Sequence, residues 1–199
     1  MVTERHDPGR RRVLRLATYG LSAVGVGFAA TPFVLSMLPS ERARAAGGPV
    51  TVDIDKLAPG QMITVSWRGK PVWILRRSPE MLASLSEARR FLVDPDSRVE
   101  SQQPPYARNP HRAIRPEIFV AVGLCTHLGC VPDERFEPGE ASGLGADWPG
   151  GFFCPCHGSK FDLAGRVWKN VPAPTNLVIP PYRFPVDGQV EIGVDPADA

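Results

Sequence analysis

The sequence is poor in several residue types that often carry chemistry: its 199 residues include only four cysteines, four histidines and three tyrosines. Four cysteines are too few for the disulfide framework that holds small secreted domains together. The net positive charge is also small, because 23 lysines and arginines are nearly balanced by 21 acidic residues and leave a formal net charge of +2. Five arginines against two acidic residues give residues 1–15 a net +3, so the rest of the chain has no basic excess and nucleic-acid binding is not expected. The sequence has one long uncharged apolar run, at residues 16–40, so at most one membrane span is expected.

Most of the cysteine and histidine that the chain does contain lies in two short pieces. Residues 125–130 read C-T-H-L-G-C and residues 154–159 read C-P-C-H-G-S, so together they hold all four cysteines and two of the four histidines. Each piece offers one cysteine, one histidine and a second cysteine. Cysteine and histidine side chains from two loops are typical ligands of a tetrahedral metal centre. The pattern therefore favours a metal site built from both pieces.

Four interpretations of the two pieces compete. A 2Fe–2S cluster with mixed ligands would place two thiolates on one iron and two imidazoles on the other. A structural zinc site would use one cysteine and one histidine from each piece and leave the second cysteines unexplained. A redox dithiol usually has the spacing C-x-x-C, which neither piece has, and a pair of plain disulfides would leave both histidines unexplained. The cluster is favoured because it accounts for all six residues. Four would be ligands, and the second cysteine of each piece would be close enough to bridge the two pieces.

The two pieces resemble the cluster-binding boxes of the Rieske iron–sulfur proteins. The second cysteine of each box is similar to that of the disulfide-bearing branch in quinol-oxidising respiratory complexes, and the similarity extends to the N-terminal anchor, Gly158-Ser159 and residues 171–174, V-P-A-P. The resemblance implies an all-β fold, an antiparallel Rieske-type sandwich with one short helix and a smaller cluster-binding subdomain at about residues 123–176, preceded by a single transmembrane helix. It also implies one 2Fe–2S cluster, whose four ligands would be Cys125, His127, Cys154 and His157.

Within that resemblance, the cysteines and histidines have different expected roles. Cys125 and Cys154 would hold a buried iron, and the two histidines would hold the outer iron and serve as proton acceptors. Neutral imidazole ligands raise the reduction potential, and a ligated histidine that takes up a proton couples proton transfer to electron transfer. Cys130 and Cys156 would form a disulfide between the loops, which persists only in an oxidising compartment.

Residues beside the boxes also have expected roles. Ser159 would donate a hydrogen bond to a cluster sulfide and so raise the reduction potential. The family often has a tyrosine two residues later, but this chain has Phe161, so its potential is predicted to be lower than in tyrosine-bearing relatives. Leu128, Pro172 and Pro174 would form an apolar collar around the histidine edges, suited to docking with a quinol pocket.

The resemblance implies a function in electron transfer. The expected activity is that of the iron–sulfur subunit of a ubiquinol–cytochrome c oxidoreductase, which takes one electron from ubiquinol, with a proton passing to a cluster histidine, and gives it to a c-type cytochrome. The expected partners are cytochrome b, a c-type cytochrome, ubiquinol and membrane lipid, within a dimeric complex. Two alternatives remain: a Rieske subunit of another quinol-oxidising or oxidase complex, and a membrane-tethered zinc-binding interaction module.

The N-terminal residues predict an export signal and an anchor. Arg10-Arg11 followed by apolar residues fits a cytoplasmic twin-arginine signal within residues 1–15. Residues 16–40 are long enough to span a bilayer and longer than the apolar region of a cleaved signal, so a retained anchor is predicted, although residues 43–45, A-R-A, keep cleavage open. The flanking arginines predict a cytoplasmic N-terminus in a bacterial inner membrane, with the cluster domain in the periplasm.

The rest of the chain predicts a linker and a turn-rich domain. Residues 41–49 are small and polar and predict a hinge linker, and residues 50–199 predict the Rieske domain, which the 22 prolines and 19 glycines of the chain make rich in turns. A helix is predicted at residues 79–92 from its cap and its apolar spacing, and residues 131–153 are predicted to be a connecting loop without chemistry. Short strands are predicted at residues 50–54, 61–67, 72–75, 117–124, 161–162, 166–168, 177–179, 182–186 and 189–194.

Overall fold

A computed structural model describes residues 8–40, residue 43 and residues 47–197 of the chain. The first seven residues of the predicted signal and much of the predicted hinge linker, including two residues of the possible cleavage site, lie outside the described residues. The chain divides into two compact units, Met1–Ala45 and Ala46–Ala199, and each is described by itself.

The described part of the N-terminal unit is mostly one long helix, α1, which spans Pro8–Ser36. This helix has 29 residues and a mean hydropathy of 1.4 in its most apolar window, and none of that window is buried within the chain. It is therefore long and apolar enough to cross a membrane. The helix contains Pro32, which is tolerated in membrane helices more readily than in soluble ones. Most of the predicted span at residues 16–40 lies in α1.

The C-terminal unit consists of short antiparallel strands with little helix. Its α-helix within residues 47–197 is α2, Pro79–Ala88, and four 3₁₀ turns occur at Arg89–Phe91, Glu100–Gln102, Pro105–Ala107 and Gly139–Ser142. The strands are β1 Val50–Asp53, β2 Met62–Trp67, β3 Lys70–Arg76, β4 Ile118–Val122, β5 Asp133–Arg135, β6 Gly151–Cys154, β7 Ser159–Asp162, β8 Tyr182–Arg183 and β9 Gln189–Ile192.

The nine strands form three sheets of three strands each, with orders β1-β9-β8, β2-β3-β4 and β5-β6-β7. All of their pairings are antiparallel. The second and third sheets meet in the core, where the Trp73 and Phe152 rings stack with centroids 4.7 Å apart and Phe119 lies 6.2 Å from Phe152. Strand β4 is buried along its whole length and ends three residues before Cys125, while β6 ends at Cys154. The packed sheets thereby position both cysteine pieces.

The start of α2 agrees with the prediction, but its end does not. The Ser78 hydroxyl accepts a hydrogen bond from the Met81 N–H (3.3 Å), and Pro79 occupies the first helical turn. The α-helix ends at Ala88 and continues only as the 3₁₀ turn to Phe91. The predicted helix at residues 79–92 is therefore a shorter helix plus one tighter turn.

Several segments differ from the predicted strand pattern. Residues 166–168 make only isolated bridges, residues 177–179 belong to no strand, and the strand predicted at residues 182–186 is limited to Tyr182–Arg183. Within the second segment, the Leu177 N–H donates to the Gly165 carbonyl and the Ile179 N–H to the Gln102 carbonyl, both at 2.8 Å. Because successive donors bond to different segments, no regular strand pair forms. Conversely, the segment predicted as loop, residues 131–153, contains β5 and most of β6.

Candidate metal centre

The first loop, residues 125–130, follows β4 and is closed by its own backbone. The Cys125 N–H donates to the Cys130 carbonyl (2.7 Å), and the Gly129 N–H donates to the Cys125 carbonyl (2.9 Å). Gly129 has a φ of 81°, a left-handed conformation that is strained for most other residues. This closure brings the two cysteines of the loop together and leaves Leu128 exposed between them.

The second loop, residues 154–159, is the turn of the β6–β7 hairpin, in which Cys154 pairs with Ser159. The Gly158 N–H donates to the Cys154 carbonyl (2.9 Å), and Gly158 has a φ of 78°. The second loop therefore repeats the glycine-to-cysteine bond of the first. Each loop is thus a tight turn that carries one predicted cysteine ligand and one predicted histidine ligand.

The two predicted cysteine ligands are free thiols in the interior of the unit. Cys125 is 3% exposed and Cys154 is 2% exposed. Burial raises the pKa of the Cys154 thiol, and the neighbouring Cys125 thiol raises it further, whereas the backbone N–H groups of Cys156 and His157 act in the opposite direction. Because metals bind the thiolate, loading of this site must release the proton of Cys154.

The two predicted histidine ligands lie side by side. The His127 and His157 rings meet edge to face, with centroids 4.7 Å apart and an interplanar angle of 89°. His157 is exposed and His127 is half-buried. The donors thus comprise an inner pair of thiols and an outer pair of imidazoles. This donor set fits a 2Fe–2S cluster with thiolates on one iron and imidazoles on the other; the assignment of individual ligands stays a prediction.

A disulfide joins Cys130 to Cys156 and so links the two loops, with Cα atoms 6.7 Å apart. The predicted bridge is therefore present. The free sulfur of Cys154 lies beside it, because the sulfur atoms of Cys130, Cys154 and Cys156 are all within 4.8 Å of one another. Since two of these sulfurs are bonded to each other, this trio offers a metal only one thiol.

The proline segment, residues 171–176, is hydrogen-bonded to both loops. The Ser159 hydroxyl accepts from the Ala173 N–H (3.0 Å), and the Thr126 hydroxyl donates to the Thr175 carbonyl (2.7 Å). Ser159 is fully buried, and its own hydrogen finds no acceptor among the residues that the structure describes. That hydrogen is available for the donor role predicted for Ser159. Thr126, in contrast, was not singled out by the sequence pattern.

The predicted collar residues all reach the surface. Leu128 is 71% exposed, and Pro172 and Pro174 are exposed on either side of a buried alanine. Phe161 behaves differently and is fully buried. It lies two residues after Ser159 on β7, so the two side chains share one face of that strand.

Buried charges at the other end of β7 were missed by sequence reasoning. The Arg166 guanidinium donates to the Asp162 carboxylate (2.7 Å), which also accepts the Ala164 N–H (3.0 Å). Arg112 donates to the carbonyls of Ala164 (3.1 Å) and Gly165 (3.3 Å), and burial lowers its pKa to about 10, so it stays charged at neutral pH. These contacts fix the turn that supports β7. No sequence signal distinguished Arg112 from the surface arginines around it.

Two family models match the chain. One, described as "Rieske [2Fe-2S] domain", matches residues 49–183. The other, described as "Ubiquitinol-cytochrome C reductase Fe-S subunit TAT signal", matches residues 1–40. Together they cover both cysteine loops, the proline segment and α1.

Relatives of known function align over nearly the whole chain. The ubiquinol-cytochrome c reductase iron-sulfur subunit of Allochromatium vinosum is 60% identical over 96% of this chain and 91% of its own length. The protein of the same description from Blastochloris viridis is 42% identical over 92% of each chain. Among solved structures, a chain of a hyperthermophilic respiratory complex III aligns over 88% of this chain and 98% of its own, with 26% identity and a TM-score of 0.46.

Proposed function

The chain belongs to the Rieske [2Fe-2S] family, among the ubiquinol–cytochrome c reductase iron–sulfur subunits, and from that membership we propose that it carries electrons from ubiquinol to a c-type cytochrome. The supporting observation is the convergence of two loops that place a buried pair of thiols and a more exposed pair of imidazoles together. The proposed ligands are Cys125, His127, Cys154 and His157.

Bound there, a 2Fe–2S cluster would supply one-electron chemistry, at a potential between roughly −150 and +300 mV for histidine-ligated clusters. The protein would supply the accompanying proton sites. A histidine that holds metal through one ring nitrogen keeps the other for a proton. Because His157 is exposed and His127 is half-buried, a docked quinol could deliver its hydroxyl proton to either imidazole. The buried thiols, in contrast, would exclude water from the inner side of the site.

The exposed apolar residues beside the histidines would provide the docking surface for the quinol site. Leu128, at 71% exposed, offers apolar area next to His127, and Pro172 and Pro174 are exposed residues of the proline segment, which is hydrogen-bonded to both loops. Apolar residues exposed together typically mark an interaction site. The aromatic head of a quinol and the apolar pocket around it are suitable partners for such a surface.

The N-terminal unit would anchor the subunit in a bacterial inner membrane. The arginines at the start of α1 favour a cytoplasmic N-terminus, and the apolar length of α1 would contact lipid. The cluster domain would then lie in the periplasm, where the Cys130–Cys156 disulfide is stable. We propose signal, anchor, linker and domain boundaries at residues 1–15, 16–40, 41–49 and 50–199, with the cluster-binding part at about residues 123–176.

The subunit would act only within its complex. Quinol oxidation also requires a cytochrome b to hold the quinol, and the electron leaves through a c-type cytochrome, so these two proteins are the proposed partners in a dimeric assembly. The isolated chain is expected to be redox-active but not to catalyse turnover.

A redox titration of the full chain in detergent, followed by visible absorption, tests this function. We expect a brown protein whose midpoint potential falls as the buffer becomes alkaline, because the reduced form holds the imidazole proton more tightly than the oxidised form. A colourless protein, or a midpoint that does not change with pH, would contradict the proposal.

The docking surface can be tested with a matched pair of substitutions, one at Leu128 in the first loop and one at Val131, which directly follows that loop. Leu128→Ser is expected to lower quinol–cytochrome c reduction in the assembled complex while leaving the midpoint potential unchanged. Val131→Ser, at a residue that is also apolar and 54% exposed, is expected to change neither. Equal losses from both substitutions would argue against a specific role for Leu128.

A further inference from the structure

Three arginines and one aspartate are buried close to the end of β7. Arg77, Arg112 and Arg166 are each at most 2% exposed, and Asp162 is 1% exposed. We call these four residues the arginine group. Among the residues that the structure describes, no other aspartate, glutamate, lysine or arginine is buried. Because arginine stays charged in proteins and an aspartate paired with it is ionised, the arginine group holds three positive charges against one negative charge.

All three guanidinium groups donate hydrogen bonds to the turn that follows β7, residues 162–166. Their acceptors are the Leu163 carbonyl for Arg77 (3.1 Å), the Ala164 carbonyl for Arg112 (3.1 Å) and the Asp162 carboxylate for Arg166 (2.7 Å). Strand β7 begins at Ser159, which pairs with the proposed ligand Cys154. At about 3.3 Å per residue, the turn starts about 10 Å along β7 from the proposed metal site.

Stability does not account for this excess of buried positive charge. Only Arg166 is paired with the single buried carboxylate. Within the described part of the chain, Nε and one terminal nitrogen of Arg77 and Nε of Arg112 have no hydrogen-bond partner. Burial lowers the pKa of Arg77 to about 10, because its charged form loses hydration there. Since an unpaired buried charge destabilises a fold relative to an apolar side chain of similar size, the arginine group requires an explanation other than packing.

We propose that the arginine group is a fixed source of positive electrostatic potential at the metal site, which favours the reduced, more negative state of the bound cluster and so raises its reduction potential. The net charge around an iron–sulfur cluster is one of the properties that set its potential. The inference rests on the proposed function, because it assumes that the two cysteine loops hold a 2Fe–2S cluster.

Distance and burial together make the effect large enough to measure. A unit charge about 10 Å away, at the effective dielectric constant of about 20 that suits buried sites, changes the ratio of reduced to oxidised protein by about tenfold. Ions in the buffer screen buried charges much less than surface charges. Two acidic residues also act on the group: Asp94, near Arg112, is half-buried, and Glu117, near Arg77, is exposed. Water therefore screens these two acids, and they offset the group only in part.

Redox titrations of iron-loaded full chain in detergent test the proposal with two variants of opposite charge change. Arg166→Gln and Asp162→Asn break the same buried ion pair, but the first removes a positive charge and the second a negative one. In Arg166→Gln the Asp162 carboxylate keeps two backbone N–H donors that hold it charged. At a fixed potential, the ratio of reduced to oxidised protein should fall about tenfold in Arg166→Gln and rise by about as much in Asp162→Asn. Shifts in the same direction, as loosened packing would produce, or no shift in either variant, would overturn the proposal.

Arg77→Met removes a positive charge without breaking that ion pair, so it provides the test if Arg166→Gln does not fold. Because two of the three Arg77 guanidinium nitrogens lack partners within the described residues, the apolar side chain should keep or raise the free energy of unfolding. The ratio of reduced to oxidised protein should still fall about tenfold. A stable Arg77→Met protein with the wild-type midpoint potential would overturn the proposal.

Two control variants separate buried charge from other effects. Arg166→Lys keeps the positive charge but loses the guanidinium, so it should lower the free energy of unfolding without moving the midpoint potential. Arg90→Gln removes a charge from the ion pair with Asp147, whose side chains are 69% and 77% exposed, so water screens the loss and the midpoint should stay the same. A midpoint that falls in either control as far as in Arg166→Gln would contradict the proposal.

A probe that needs no metal distinguishes this proposal from the proposed function. The nitrile stretching frequency of 4-cyanophenylalanine in place of Phe161, a fully buried residue of β7, reports the local electric field. In protein prepared without iron, this frequency should shift in opposite directions in Arg166→Gln and Asp162→Asn. Opposite shifts in a protein that never binds iron would contradict the proposed function while supporting the positive field. Iron-loaded protein in which neither variant shifts the frequency would contradict the inference alone.

Discussion

The two cysteine loops share one closing bond but are supported by different parts of the fold. In each loop a left-handed glycine donates its N–H to the carbonyl of the first cysteine, at 2.9 Å in both cases. The first loop, residues 125–130, extends from the fully buried strand β4, whereas the second, residues 154–159, is the turn of a two-stranded hairpin. The two loops therefore present similar cysteine and histidine side chains but are attached to different parts of the fold.

This contrast separates what a substitution does to metal binding from what it does to stability. Each loop contains the same kinds of proposed ligand, one buried thiol and one imidazole, so loss of a proposed ligand should affect metal binding equally in either loop. The loops differ in their links to the rest of the unit: Thr126 bonds the first loop to the proline segment through a half-buried hydroxyl, and Ser159 does so through a fully buried one. Substitutions of Thr126 and Ser159 should therefore lower the stability of the domain by unequal amounts.

The largest expected effect comes from removing a thiol donor. Cys125→Ala and Cys154→Ala should each abolish iron binding, because an iron that loses one of its two protein ligands is not retained. Iron and sulfide analysis of the purified full chain measures this directly. A variant of either cysteine that keeps its full iron content would break the proposed equivalence of the two loops.

Removing the bridge between the loops should have the next largest effect. Cys130→Ser combined with Cys156→Ser should lower the free energy of unfolding by about 3 kcal/mol, since the disulfide closes a loop with a sequence separation of 26 residues. Iron content should fall but not vanish, since no proposed ligand is lost. Thermal unfolding followed by circular dichroism measures the change, and unaltered stability together with unaltered iron content would show that the bridge does not hold the loops.

Breaking the two links to the proline segment should have smaller and unequal effects. Ser159→Ala leaves the Ala173 N–H without its partner in a buried environment, which costs about 1–3 kcal/mol. Thr126→Val removes a half-buried hydrogen bond and should cost about 1 kcal/mol. Chemical denaturation of both variants tests this order. A larger loss of unfolding free energy for Thr126→Val than for Ser159→Ala would reverse the proposed difference between the loops.

The smallest expected effect is electronic. Phe161→Tyr adds a hydroxyl on the face of β7 that also carries Ser159, and a hydrogen bond to a cluster-bound sulfur raises the reduction potential. We expect a higher midpoint in a redox titration than in wild-type protein. Phe161→Leu is the control that changes the packing without adding a donor. A midpoint potential that does not rise in Phe161→Tyr would contradict the prediction that Phe161 lowers the reduction potential of this protein.

The sequence was informative where the chemistry is local. Two pieces with cysteine and histidine at fixed spacing predicted the family and the 2Fe–2S cofactor, and the matches to both family models and to close relatives confirm them. The mostly antiparallel fold with one short helix and an N-terminal apolar helix is confirmed as well, and so is the Cys130–Cys156 disulfide. The ligand assignments, the docking collar and the domain boundaries remain predictions.

The supports of the site could not be predicted, because they join residues far apart in sequence. The Thr126 hydroxyl meets the carbonyl of Thr175, 49 residues later. Arg112 reaches the carbonyl of Ala164, 52 residues away, from a segment that looked irregular. Residues 177–179 have the composition of a strand but bond to separate segments, so β-propensity alone was misleading there.

Metal and acid-labile sulfide analysis of the purified full chain tests the central claim most directly. If the two loops hold a Rieske cluster, the protein will contain two irons and two sulfides per chain, as a 2Fe–2S centre requires. Zinc in place of iron, with no sulfide, would contradict the account.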